Sequence, residues 1–169
     1  MRAAILTVSD TAARGEQADL SGPLLREFVE RQGGEVVRAD VLPDELEAIA
    51  AWLRSVCDED RVDLAITSGG TGLAPRDVTP EATKKVLERE APGIAEALRA
   101  AGMAQTLRAM LARGVAGTRG GTLVVNLSGS PKAAREQWEA LQPVLAHAIE
   151  TLRGESTHPE TDAARRREG

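Results

Sequence analysis

Gly69, Gly70 and Gly72 stand between an apolar run, Val62 to Ile66 broken only by Asp63, and the segment Pro75-Arg76-Asp77-Val78-Thr79-Pro80. A loop of this kind can bring backbone N–H groups against an anion, because no Cβ intervenes and a positive φ costs little. Ser68 and Thr71 add hydroxyl donors at the same place. Asp77 then changes the chemistry. A carboxylate beside a phosphate cradle repels the ligand unless a cation stands between them, so Arg76-Asp77 suggests a charge-balanced, Mg²⁺-assisted site. Three more groups fall at the ends of apolar runs: Ser9-Asp10, Pro43-Asp44 and Ser128-Gly129-Ser130-Pro131-Lys132.

Each group also has a purely structural explanation. Asp44 can be a helix N-cap, Asp10 an Asx-turn residue and Ser130-Pro131 a helix start, while Gly-Gly-Thr-Gly can be a tight strand-to-helix turn. The loop is neither the Gly-x-Gly-x-x-Gly dinucleotide fingerprint nor a Walker A loop, since no Gly-Lys-Ser/Thr follows. Taken together, the groups place three carboxylates, glycine-rich donors and Lys132 on one edge of a sheet. That combination suits a nucleotide and a metal.

The elements that must position these residues are legible from periodicity. Arg2 to Val8 is a near-continuous apolar strand, expected to be central and parallel. Residues 11–19 read as a loop. A helix runs from Ser21 to about Gln32, burying Leu24, Leu25, Phe28 and Val29, and Gly33-Gly34 ends it. Glu35 to Leu42 is the second strand. Pro43-Asp44 opens a helix in which Leu46, Ile49, Ala50, Leu53 and Val56 recur at helical spacing. Val62 to Ile66 is the third strand. Thr79 is placed to cap a helix over about 80–90, whose positive end would add to the anion site. Helical segments follow over about 93–102 and 105–111, then a strand over 120–127 and a long helix over 131–152. Alternation of this kind predicts an α/β fold, a three-layer α/β/α arrangement with a mostly parallel central sheet. Ligands of such sheets bind at the carboxyl ends of the strands.

Composition narrows the function classes. The 169 residues, 42% hydrophobic, suit one domain over 1–153 followed by a polar tail over 154–169, read as flexible. Phe28, Trp52 and Trp138 are the whole aromatic complement, and the formal net charge is −5. Neither stacking platforms nor a basic surface is provided for nucleic acid. Cys57 alone cannot build a disulfide framework or a cysteine metal cluster, and His147 and His158 have no ligand partner at useful spacing. No apolar run approaches the ~18 residues of a membrane span, and no basic-then-apolar leader precedes the first strand. A cytoplasmic protein is the expectation.

Several motifs together resemble a known family. Ser9-Asp10, Asp19-x-Ser21-Gly22-Pro23, Leu42-Pro43-Asp44-Glu45, Gly69-Gly70-Thr71-Gly72, Pro75 to Thr83, Glu90-x-Pro92-Gly93 and Asn126-Leu127-x-Gly129-x-Pro131 look like the molybdopterin adenylyltransferases of molybdenum cofactor biosynthesis. Gephyrin-type domains share the pattern. The resemblance implies a molybdopterin-binding fold, a homotrimer or hexamer, and adenylylation of molybdopterin by Mg-ATP with release of pyrophosphate. It also implies a downstream molybdate-insertion enzyme as partner. By that resemblance Asp44 and Asp77 hold Mg²⁺ and are catalytic. Ser68, Gly69, Gly70, Thr71 and Gly72 bind nucleotide phosphates, Asp10 lines the pocket, and Ser128, Gly129, Ser130 and Lys132 help close it. Relatives often carry Pro at position 128 and Ser at positions 102 and 112, where this chain has Ser128, Gly102 and Ala112. A missing hydroxyl near the pterin removes a hydrogen bond worth ~1 kcal/mol. The competing expectation is a non-catalytic molybdopterin carrier or trimeric scaffold. Paired carboxylates argue against it, since a plain binder of polyanions gains nothing from them.

Overall fold

A computed structural model describes residues 1–155. In chain order the elements are β1 (Arg2–Val8), α1 (Asp10–Ala13), α2 (Ser21–Arg31), β2 (Glu35–Leu42), α3 (Leu46–Asp58), β3 (Leu64–Ser68), α4 (Thr79–Lys84), β4 (Arg89–Glu90) and α5 (Pro92–Met103). A 3₁₀ turn (Leu107–Leu111), β5 (Ala116–Arg119), β6 (Thr122–Leu127) and α6 (Pro131–Leu152) follow. The strands form one six-stranded sheet in the order β2-β1-β3-β6-β5-β4. β1, β2, β3 and β6 run parallel, while β5 and β4 add an antiparallel edge.

The apolar strands explain the three layers. β1, β3 and β6 are buried on both faces, so alternate residues feed two cores. Ile5, Leu64, Ile66, Leu123 and Val125 pack under α2 and α6, where Phe28 stacks on Trp138 with ring centroids 6.0 Å apart. Ala4, Leu6, Val8, Ala65 and Val124 pack on the other side against Ile49, Leu53 and Val56 of α3.

Register then fixes the site. Val8 pairs with Leu42, Thr7 with Ser68, and Ser68 with Leu127. The carboxyl ends of four parallel strands therefore finish level, bringing the residues that follow each of them to one edge. β1 has β2 on one side and β3 on the other, so the chain reverses its winding direction there, which is where open α/β sheets hold ligands.

Four local expectations change. Residues 10–13 form a helical turn, capped by Ser9, whose Oγ accepts from Ala12 N at 3.3 Å. The third strand is shifted two residues onward, to Leu64–Ser68, because its ladder is set by pairing with β1 and not by hydropathy alone. The helix expected over 80–90 ends at Lys84, and Arg89–Glu90 pairs with β5 instead. The strand expected over 120–127 is half of a hairpin. Arg119 pairs with Thr122 across Gly120-Gly121, so the glycines form its turn. Apart from Gly154 and Glu155, the predicted tail lies outside the described residues.

Candidate functional site

A cleft of about 440 Å³ opens at the carboxyl edge of β1 and β3. Its walls are Val8 and Ser9 after β1, Ala12 of α1, the Gln17–Ser21 segment, Asp44 after β2, Ser68 to Gly72 after β3, Asp77, and Gly129 with Pro131 at the start of α6.

The glycine loop is shaped by what surrounds it. Gly69 has φ +105°, and a Cβ there would collide with the Val8 carbonyl, so the tight exit from β3 requires glycine. A Cβ on Gly70 would lie 2.7 Å from Asp44 Oδ1 and would collide with Thr79 Oγ1. The Gly69 amide donates to Leu127 O at 3.1 Å and so belongs to the sheet. Among the described residues, the amides of Gly70, Thr71 and Gly72 donate to no protein atom, which leaves them for a ligand.

Asp44 is not a helix cap. Glu45 occupies that position, and no side chain caps α3. Instead Asp44 and Asp10 exchange backbone hydrogen bonds: Asp10 N donates to Asp44 Oδ2 at 3.2 Å, and Asp44 N donates to Asp10 Oδ1 at 3.1 Å. Asp10 also receives Arg76 in a two-pronged pair, Nε to Oδ2 at 2.5 Å and Nη2 to Oδ1 at 2.8 Å. That guanidinium pulls the Asp10 carboxyl down to about 2. Asp44 moves the other way. Burial comes first, and the negative charges of Asp10 and Asp77 add to it, raising its pKa above the usual carboxylate value. Among the described residues, Asp44 Oδ1 and Thr79 Oγ1, the two atoms nearest to where a Gly70 Cβ would stand, are buried with no hydrogen-bond partner. Thr79 is the first residue of α4 and not its cap.

Asp77 accepts the Ala74 amide at 2.8 Å, and a Cβ on Gly72 would lie 2.8 Å from its Oδ2. Arg113 staples this loop from outside. Its guanidinium donates to Gly72 O and Asp77 O, each at 2.6 Å, and pairs with Glu81, while its amide donates to Thr71 O.

Metal fit follows from the donors. A carboxylate oxygen buried without a partner is costly unless a cation or donor meets it, and Asp44 Oδ1 is such an atom. Among the described residues no three His, Cys, Asp or Glu side chains converge on one point. Two carboxylates with phosphate and water completing the shell suit Mg²⁺, which keeps several waters and binds through one or two acids. The residues fit that ion.

Not every sequence candidate reaches the cleft. Asp10, Ser128 and Ser130 are not among the residues that line it. The Ser68 hydroxyl donates to Ser128 O at 3.0 Å, and Ser128 N donates to Gln137 Oε1 at 2.8 Å, so both serines tie loops together. Lys132 lies outside: its side chain is 81% exposed and its ammonium stands 3.9 Å from Glu136. The helix whose positive end meets the cleft is the 22-residue α6, through Gly129 and Pro131, more than the six-residue α4. Gly102 is buried, and a Cβ there would sit 2.8 Å from Ala109 Cβ, so a serine at this position requires the 3₁₀ turn to shift.

Sequence reasoning passed over Gln17 and Asp19 as cleft residues, while Ser9, named there beside Asp10, does line the cleft. Asp19 Oδ1 accepts from the Ser21 and Gly22 amides and Oδ2 from the Thr7 hydroxyl, closing one wall. Asp19-x-Ser21-Gly22-Pro23 carried that signal, as an acid two residues before a helix start.

Residues 4–147 match the family described as a probable molybdopterin binding domain. The chain belongs to this molybdopterin-binding family of molybdenum cofactor biosynthesis. It is 38% identical over 152 residues to a Helicobacter pylori molybdopterin adenylyltransferase, covering 89% of this chain and 86% of that protein. It is 40% identical over 149 residues to the Drosophila melanogaster molybdenum cofactor synthesis protein cinnamon, where 88% of this chain spans only 25% of the relative. The structure superposes on the molybdopterin biosynthesis enzyme MoaB of Thermus thermophilus with TM-score 0.86 and 50% identity, covering 90% and 96% of the two chains. A molybdopterin biosynthesis protein from Mycobacterium abscessus gives 0.85 and 43%, covering 89% and 95%.

Proposed function

We propose that this cleft adenylylates molybdopterin: it binds Mg-ATP and molybdopterin, joins AMP to the terminal phosphate of molybdopterin, and releases pyrophosphate. The observation that carries the reading is the pairing of Asp44 and Asp77 with the donor-rich Gly70–Gly72 loop in one cleft. It is supported by the relatives named molybdopterin adenylyltransferase that this chain covers nearly end to end.

A phosphate oxygen of molybdopterin attacks the α-phosphorus of ATP, and the bond from that phosphorus to the bridging oxygen breaks as pyrophosphate leaves. Both reactants are polyanions, so the protein's work is alignment and charge neutralisation. The amides of Gly70, Thr71 and Gly72 and the amino end of α6 hold phosphate oxygens. Asp44 and Asp77 would hold Mg²⁺, which when bound offsets phosphate charge. Asp10 fixes Asp44 through the exchanged backbone bonds.

The reading extends to a homotrimer working in the cytoplasm and passing its product to a molybdate-insertion enzyme. Leu107 (74% exposed) and Met110 (57%) stand three apart on the 3₁₀ turn beside Leu111 and Met103, an apolar patch suited to a subunit contact. Pyrophosphate release on mixing protein, Mg-ATP and molybdopterin tests the assignment. The wild type should release it and Asp44→Ala should not; equal release by a folded Asp44→Ala overturns the role of Asp44 in holding Mg²⁺ for the transfer.

A further inference from the structure

The cleft has an unusual charge balance for a polyanion site. Asp19, Asp44 and Asp77 line it, and among the described residues no lysine or arginine does. Nearby cations are committed elsewhere. Arg113 holds the loop carbonyls of Gly72 and Asp77, Arg14 pairs with Glu16 at 2.8 Å, and Lys132 faces solvent. Arg76 differs from these. It belongs to the loop between Gly72 and Asp77, both cleft residues, its side chain is 60% exposed, and among the described residues its guanidinium donates to Asp10. Its partner Asp10 exchanges hydrogen bonds with Asp44, a cleft residue, so Arg76 stands beside the cleft wall.

We propose that Arg76 is the cleft's exchangeable cation: Asp10 holds its guanidinium in position, and it transfers to the phosphate chain of an incoming nucleotide. The proposal rests on the nucleotide-binding reading above. Its physical basis is the similarity of the two acceptors. A carboxylate and a phosphate present two oxygens at nearly the same spacing, and the planar fork of arginine binds either with two parallel N–H···O bonds. The Arg76 side chain is 60% exposed, so its guanidinium is open on the solvent side to a multiply charged partner. Asp10 keeps its place after the exchange, because the Asp44 amide still donates to it. Asp10 is then a placeholder that pre-orients Arg76, and Arg76 is a substrate-binding residue.

The test uses the full chain, with ATP and adenosine as probes in EDTA and again with Mg²⁺, measured by calorimetry, together with the ¹⁵N resonance of Arg76 Nε. Losing one charge-assisted contact should weaken ATP binding by Arg76→Gln about tenfold. Adenosine, which has no phosphate, should bind within about twofold of wild type, and Lys132→Gln should bind ATP as wild type does. In the wild type the Arg76 Nε signal should move as ATP saturates. ATP binding by Arg76→Gln within about twofold of wild type, or an Nε signal unmoved at saturating ATP, overturns the exchange while leaving the nucleotide reading intact. A wild type that binds no ATP overturns both.

Discussion

Asp10 and Asp44 share two backbone hydrogen bonds yet are driven in opposite directions, Asp10 down to about 2 by Arg76 and Asp44 up by burial and neighbouring negative charge. The sign of each pH effect follows. Asp10, with its folded pKa depressed, contributes stability that is present above the ordinary carboxylate range and is lost as pH falls toward 2. Asp44, with its folded pKa raised, takes up its proton while an ordinary aspartate is still charged, and a protonated carboxyl cannot hold a cation. Mg²⁺ binding should therefore weaken on acidification beginning above pH 3.8, the usual value for aspartate. Carboxyl ¹³C titration by NMR checks both: the Asp10 midpoint should fall near 2 and the Asp44 midpoint above 3.8. Asp77→Asn, which keeps shape and removes charge, should lower kcat by about 10²–10³ with little change in melting temperature, on the scale of losing one preorganised electrostatic contact. Steady-state kinetics beside a thermal melt separates the two effects.

At the level of elements, the loop from Gly69 to Asp77 is held from three directions: by the sheet through Gly69, by α4 through Thr79 N to Gly70 O, and by Arg113. Arg113→Met should leave the Gly72 and Asp77 carbonyls without that donor, costing about 1.5–3 kcal/mol per charge-assisted bond lost at most, and amide exchange over residues 72–78 should quicken. Gly69→Ala should be far more damaging than Gly70→Ala in a denaturant melt, because its Cβ meets a main-chain carbonyl at φ +105°, whereas Gly70 faces side chains. Much of this framework was legible from residues alone. The spacing of Leu46, Ile49, Ala50, Leu53 and Val56 gave α3, and the apolar runs gave β1 and β6, because burial on both faces leaves a continuous signal. β4 and β5 were not legible. Two exposed residues, Arg89 and Glu90, have no periodicity, and Ala116–Arg119 becomes a strand only by pairing across the Gly120-Gly121 turn. In the site, residue types pointed to Asp44 and Asp77, but the direction of Lys132 away from the cleft and the spending of the Ser68 hydroxyl on Ser128 are tertiary facts that no spacing encodes.

For the whole molecule, the level strand ends at the β1/β3 switch point make one cleft out of five separate chain segments, and the apolar 3₁₀ turn lies on the outer surface of the same body. If that turn is a subunit contact, light scattering should give a mass near three 17.9 kDa chains, and Leu107→Glu with Met110→Glu should shift it toward one. Among the described residues no helix is long and apolar enough to cross a membrane. The central claim is the transfer itself. Protein incubated with Mg-ATP and molybdopterin should yield adenylylated molybdopterin by mass spectrometry, a metal-free sample should not, and Asp77→Asn should form it about 10²–10³-fold more slowly. A folded wild-type protein that binds molybdopterin but forms no adenylylated product would contradict the account and favour a carrier.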